Sequence, residues 1–154
     1  MNRDDPTTIA SYGLAIAAAL RSYDIDPVPV FSNIGLTIEH VYSPTMRMTV
    51  GQVAKLYEAC IDLTGDEHFS LRTVKHLSLG IFHAFGFSLA ASATLRDFCN
   101  RLVRSFSLVS SAGKFRIEEK QDFVRLTLYG VNIHTSPHTI DAFLAYLVRL
   151  MRQI

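Results

Sequence analysis

The chain has 154 residues, 49% of them hydrophobic and 19% charged, and a formal net charge of +1. That length fits one domain spanning 1–154, and the apolar share excludes a disordered chain. The balance of 15 basic against 14 acidic residues excludes a module that binds nucleic acid through charge. So little polar surface points to apolar area kept in a pocket or against another protein surface.

Asp5-Pro6 reads as a helix start, with aspartate as cap and proline in the first turn. Ile9, Tyr12, Ile16, Leu20 and Tyr23 recur behind it at helical spacing, which predicts about four amphipathic turns. Its alanine-rich face (Ala15, Ala17, Ala18, Ala19) allows close packing. Asp26-Pro27-Val28-Pro29 ends that helix, and Ile34 to Val41 fits either a short helix or an extended segment. Thr49 with Gln52 resembles a capping box. Val50, Val53, Tyr57, Cys60, Ile61 and Thr64 follow on one helical face, and Gly65 is placed as the left-handed stop.

From His76 to Leu95 no charged side chain occurs, a run of 20 residues. Its histidines, serines and glycines, and the lack of a basic flank with aromatic anchors on both sides, make it a buried segment and not a membrane span. Residues 80–92 read as a buried helix or as a strand followed by a turn. Thr94 with Asp97 marks another capped start, and Leu95, Phe98, Leu102, Phe106 and Val109 form its core stripe. The period then changes to two. Phe115 and Ile117, then Val124, Leu126 and Leu128, flank a four-residue polar turn and predict a β-hairpin near 114–129. A lone hairpin is marginal, so residues 36–42 or 80–87 are expected to add a third strand. Ser136-Pro137 starts a last helix, whose stripe Ile140, Phe143, Leu144, Leu147, Met151 and Ile154 runs to the last residue. The expected class is α+β, with helices packed around a small antiparallel sheet. The unfinished stripe is expected to meet a partner or a further part of the protein.

No nucleophile elbow, zinc motif or phosphate loop is present, so no catalytic residue, metal site or cofactor is assigned. Cys60 and Cys99 lie in apolar helical patterns and read as buried free thiols of a reducing cytosol. The cluster Phe82, His83, Phe85 and Phe87, with Arg72 nearby in sequence, has the composition of a small-molecule site: apolar walls and a group able to hold an anion. The same residues fit ordinary core packing with Arg72 exposed.

Thr64-Gly65-Asp66-Glu67-His68-Phe69-Ser70-Leu71-Arg72 resembles the TGDPxFGLR block of the N-terminal, arabinose-binding-like effector domain of AraC-type transcription regulators. Glu67-His68 stand at the aspartate–proline junction, and Ser70 replaces a glycine. Gly80 to Phe87 followed by Ser92-Ala93-Thr94-Leu95-Arg96-Asp97-Phe98 resembles the next block, GxLGYAxxxSxTLxEAL. Arg101 to Val109 resembles the following helix, Glu118 to Tyr129 the polar hairpin, and Arg47-Met48 the position of an arginine before the first block.

The resemblance covers residues 5–154. It implies a cytoplasmic bacterial regulator whose N-terminal domain senses a small-molecule effector and forms a homodimer. It also implies that a C-terminal helix-turn-helix domain, absent from this chain, binds DNA. The effector pocket is expected between the 80–92 segment, the hairpin and neighbouring helices. Phe82, His83, Phe85 and Phe87 are its candidate walls, and Arg72 or Arg47 the candidate anion partner. A dimerisation module without ligand and a small enzyme are the alternatives.

Overall fold

The computed structural model describes residues 5–132 and 134–154. The fold is α+β. In chain order the elements are β1 (Thr7–Ile9), α1 (Gly13–Arg21), α2 (Pro27–Ser32), α3 (Ile38–Tyr42), β2 (Arg47–Thr49), α4 (Val50–Thr64), α5 (Phe69–Thr73), α6 (His83–Ala90), α7 (Leu95–Ser105), β3 (Lys114–Glu119), β4 (Val124–Tyr129) and α8 (Pro137–Met151). Short 3₁₀ turns join several of them.

The expected helix start at Asp5-Pro6 gives way to a strand. β1 pairs antiparallel with β2, with Thr8 opposite Met48. Its other edge meets residues 109–111: Ile9 N–H donates to Val109 C=O at 3.0 Å and Ser111 N–H to Thr7 C=O at 2.9 Å. Pairing on both edges satisfies the backbone that a helix would have served, so tertiary context overrides the local cap signal. The helix begins only at Gly13. Its alanine face is buried, with Ala15, Ala17 and Ala19 at most 1% exposed.

Other local signals match their elements. Thr49 and Gln52 form a reciprocal capping box on α4, and Gly65 ends that helix at φ 66°. Thr94 accepts from Asp97 N–H at the start of α7, and Ser136 from His138 N–H at the start of α8. The second half of 34–41 takes the helical alternative as α3, and 80–92 resolves into a 3₁₀ turn plus α6. The eight-residue α6 packs so closely on that turn that a Cβ on Gly86 would lie 2.4 Å from the Leu79 carbonyl oxygen. The charge-free run is therefore broken and, against expectation, only partly buried: Leu77, Ile81, Phe82, Phe85 and Leu89 face the core, while His83, Phe87 and Leu95 are exposed. Among the described residues no helix is long and apolar enough to cross a membrane.

The hairpin is present as β3 and β4, with Phe115 opposite Leu128 and Ile117 opposite Leu126. It gains no third strand, because residues 36–42 and 80–87 are largely helical. Helices cover it instead: Phe115 packs edge-on against Phe106 at 4.9 Å and lies 6.3 Å from Phe143 of α8. The single sheet expected from the sequence is thus two separate two-stranded sheets.

The face of α8 is also rotated from the expected stripe. Phe143, Tyr146, Leu147 and Leu150 are buried, while Leu144 and Val148 are exposed. Cys60 and Cys99 are free and buried. Burial pushes the Cys60 thiol up to about 12, so it stays protonated.

Candidate functional site

Helix α4 on one side, the hairpin and α8 on the other, and the β1 edge between them leave a cavity of about 60 Å³. Val50 and Val53 line it from α4, Leu128 from β4, and Ile140 and Phe143 from α8. Phe82 and Phe106 form its aromatic wall. Behind this wall Phe82 stacks on Tyr146 at 5.0 Å, and Phe106 lies 5.3 Å from Phe143. These rings come from separate elements and hold one another in place.

Five of the lining side chains carry hydroxyls: Thr8, Tyr12, Ser110, Thr135 and Thr139. Three are engaged with the protein. Thr8 Oγ1 donates to Val109 C=O at 3.2 Å, and Ser110 Oγ accepts from Ala112 N–H at 3.1 Å. Tyr12 heads an ordered chain. Thr73 Oγ1 donates to Ser70 C=O at 2.6 Å, so it accepts from Tyr57 OH at 3.4 Å. Tyr57 therefore accepts from Tyr12, whose hydroxyl lies at 2.7 Å. With that proton committed, the Tyr12 oxygen can only accept from the cavity. Burial pushes both phenols up, Tyr57 to about 12, so both are neutral.

Thr135 and Thr139 differ. Among the described residues their Oγ1 atoms are buried and have no hydrogen-bond partner. They flank the start of α8, where Ser136 alone supplies the cap. Buried hydroxyls usually find partners, so these two stand out among the residues that line the cavity.

The sequence candidates divide. Phe82 lines the cavity. Phe85 lies behind it, 6.4 Å from Phe82 and 6.5 Å from Phe106. Phe87 is 58% exposed. His83 is exposed at the start of α6, with φ 51°. Its Nε2 lies 3.3 Å from Ser11 Oγ, which donates its proton to Ile81 C=O at 2.7 Å. The imidazole nitrogen is therefore the donor in that pair.

Neither arginine lines the cavity. Arg72 sits at the surface, pairing with Asp66 at 3.2 Å. Tyr23 OH also donates to that carboxylate, at 2.5 Å, and holds its pKa below the ordinary range ahead of the arginine. Arg47 is a clamp between segments: Nε donates to Thr7 Oγ1 at 2.7 Å and the terminal nitrogens to the carbonyls of Thr7, Leu108 and Val109.

Phe106 and Phe143 showed in the sequence only as core stripe positions. Thr135 and Thr139 carried no signal, because a threonine beside a helix start reads as capping chemistry.

A second depression, of about 450 Å³, lies over α5 and the start of α8 between Glu67, His68, Ser70, His138 and Asp141. It is wide and wet, with Glu67, His68 and Asp141 exposed. Among the described residues no three histidine, cysteine or acidic side chains are placed to hold a metal. The first cavity is the better candidate site, because its lining is almost wholly apolar and can shield a guest from water.

Two comparisons bear on the chain. Residues 13–154 match the family described as the N-terminal arabinose-binding domain of AraC transcription regulators. No curated protein matches the chain.

Proposed function

The chain belongs to the family of N-terminal arabinose-binding domains of AraC transcription regulators, and from that premise we propose that it is a sensor domain whose effector site is the cavity between α4, the hairpin and α8. The single observation that carries this reading is the pair of buried, unpartnered hydroxyls of Thr135 and Thr139 inside an apolar enclosure. Phe82, Phe106 and Phe143 are the proposed walls. Arg47 and Arg72 support the scaffold, since their side chains already serve Thr7, Leu108, Val109 and Asp66.

The mechanism is linkage. A cavity of about 60 Å³ is smaller than the ~150 Å³ that holds a benzene ring. A ring-sized effector therefore selects a wider arrangement. The hairpin and the start of α8 form one wall of the cavity, so widening shifts α8 and whatever it contacts. In the full regulator that shift would reach a DNA-binding part and act in the cytoplasm.

The test is thermal denaturation of the chain against metabolite pools. A rise in Tm that grows with concentration and saturates supports the sensor reading. No response from any pool, or a response that survives Ala112→Leu inside the cavity, counts against it.

One observation favours a second role alongside the first. Leu144 and Val148, four residues apart on the outer face of α8, are 39% and 46% exposed. We propose that this face pairs two copies as a homodimer. Sedimentation of wild type and Val148→Glu tests it: a wild type that is monomeric at every concentration removes the dimer.

A further inference from the structure

We infer that the cavity takes a neutral, mainly apolar ligand no larger than one six-membered ring, carrying a single hydroxyl or carbonyl, and takes neither a sugar nor a carboxylate. This rests on the reading of the cavity as the effector site.

The charge argument comes first. None of the sixteen lining residues is charged, and none is an amide or a histidine. The two arginines that a carboxylate would need are held elsewhere, by Asp66 and by the carbonyls beside β1. An ionised group moved from water into such walls would lose its hydration and gain no counter-charge.

The hydrogen-bond argument excludes a sugar. Each hydroxyl of a pentose offers one donor and two acceptor sites. Against these the cavity presents only the two unpartnered threonines and the residual capacity of three engaged hydroxyls. Thr8 and Tyr12 have committed their protons and can only accept. Most of a sugar's polar groups would be left facing Val50, Val53, Phe82, Leu128, Ile140 and Phe143. One hydroxyl or carbonyl, by contrast, matches Thr135 and Thr139, while a hydrocarbon body matches the rest of the wall.

Size sets the upper limit. At about 60 Å³ the cavity holds roughly four to six water-sized groups, at the 10–15 Å³ that one needs. The wall at Gly113, Leu128 and Val131 is closely packed and leaves no further room on that side. Gly113 has no side chain there, and a Cβ on it would lie only 3.2 Å from Leu128 Cδ1.

The experiment uses the whole chain and four probes: cyclohexanol, methylcyclohexane, cyclohexanecarboxylate and L-arabinose. Binding is followed by Tm in a concentration series and by titration calorimetry. Cyclohexanol is expected to bind saturably, and arabinose and the carboxylate to leave Tm unchanged. Thr135→Val/Thr139→Val should weaken cyclohexanol about tenfold and leave methylcyclohexane within about twofold, as expected for the loss of one buried hydrogen bond. Val131→Phe, at a half-buried position, should block all binding, and it serves where Ala112→Leu does not fold.

Binding of arabinose or of the carboxylate, lost in Val131→Phe, would overturn the ligand class while leaving the effector site in place. Cyclohexanol binding that ignores the threonine substitutions would overturn the hydrogen-bonding assignment. If no probe binds, the class is overturned. If the metabolite pools also fail to shift Tm, the effector-site reading falls with it.

Discussion

The hydroxyl of Tyr12 lies 2.7 Å from that of Tyr57 and donates its proton to it. Tyr57 passes its own proton to Thr73, which passes its proton to Ser70 C=O. The chain of hydroxyls runs from the cavity wall through α4 to α5, and each member depends on the next.

Tyr57→Phe should therefore be the costliest break. It removes the acceptor for Tyr12, leaving that buried hydroxyl unmet, and the donor to Thr73, which keeps its bond to Ser70 C=O. The expected loss is about 1–3 kcal/mol, read as a drop of roughly 2–4 °C in Tm for each kcal/mol. Tyr12→Phe should cost less, since Tyr57 keeps its bond to Thr73. Chemical denaturation of both variants checks the order, and the reverse order would refute the direction assigned to the chain.

Thr139→Val is expected to stabilise the ligand-free chain. The hydroxyl is buried without a partner, and the swap replaces it with a methyl group of nearly equal volume. Relief of that desolvation should be worth about 1 kcal/mol. A clear loss of stability by urea unfolding would show that the hydroxyl has a partner.

His83 holds φ 51° and ψ −139°, a region that side chains with a Cβ rarely enter. His83→Gly relieves roughly 1–3 kcal/mol of backbone strain. Against this stand the lost bond to Ser11 and the greater freedom of an unfolded glycine, each about 0.5–1 kcal/mol. A net gain of about 1 kcal/mol, or roughly 2–4 °C in Tm, is expected. An unchanged or lower Tm would mean the imidazole contact outweighs the strain.

Asp66 sets an acid-side dependence. Tyr23, the His68 amide and Arg72 lower its pKa in the fold. A carboxylate depressed in this way contributes stability that is present above the unfolded-state pKa of about 3.9 and is lost as pH falls through the folded value. Wild type should lose more stability than Asp66→Asn between about pH 6 and pH 3, measured as denaturant midpoints. Equal losses would assign the acid sensitivity to other carboxylates.

Local chemistry made much of this fold legible beforehand. Thr49–Gln52, Gly65, Thr94 and Ser136 act within a few residues of themselves, so their caps and stops follow from sequence neighbours. The hairpin alternation at Phe115 and Ile117 is equally local. Thr7 to Ile9 was misread as helix because its partners, Met48 and residues 109–111, are remote in sequence and no periodicity announces them. The cavity was legible only through Phe82. Its other walls were visible as core positions, with nothing to say that the core there stops short of closing. Arg72 stood out as a cation near the aromatic cluster and Arg47 through the family resemblance, yet what an arginine binds depends on which carbonyls and carboxylates the fold brings to it.

The pairing of Thr7 with Ser111 across 104 positions also sets an order of assembly. As the chain leaves the ribosome, β1 emerges about a hundred residues before its mate on the Ser111 edge. It can meet β2 early, but its second edge waits until the turn after α7 has emerged. Until then it is an open β-edge, available to any other nascent or unfolded strand. The growing chain is thus most exposed to aggregation from the emergence of β1 to that of Ser111, and a chaperone that shields one short N-terminal strand would cover that interval.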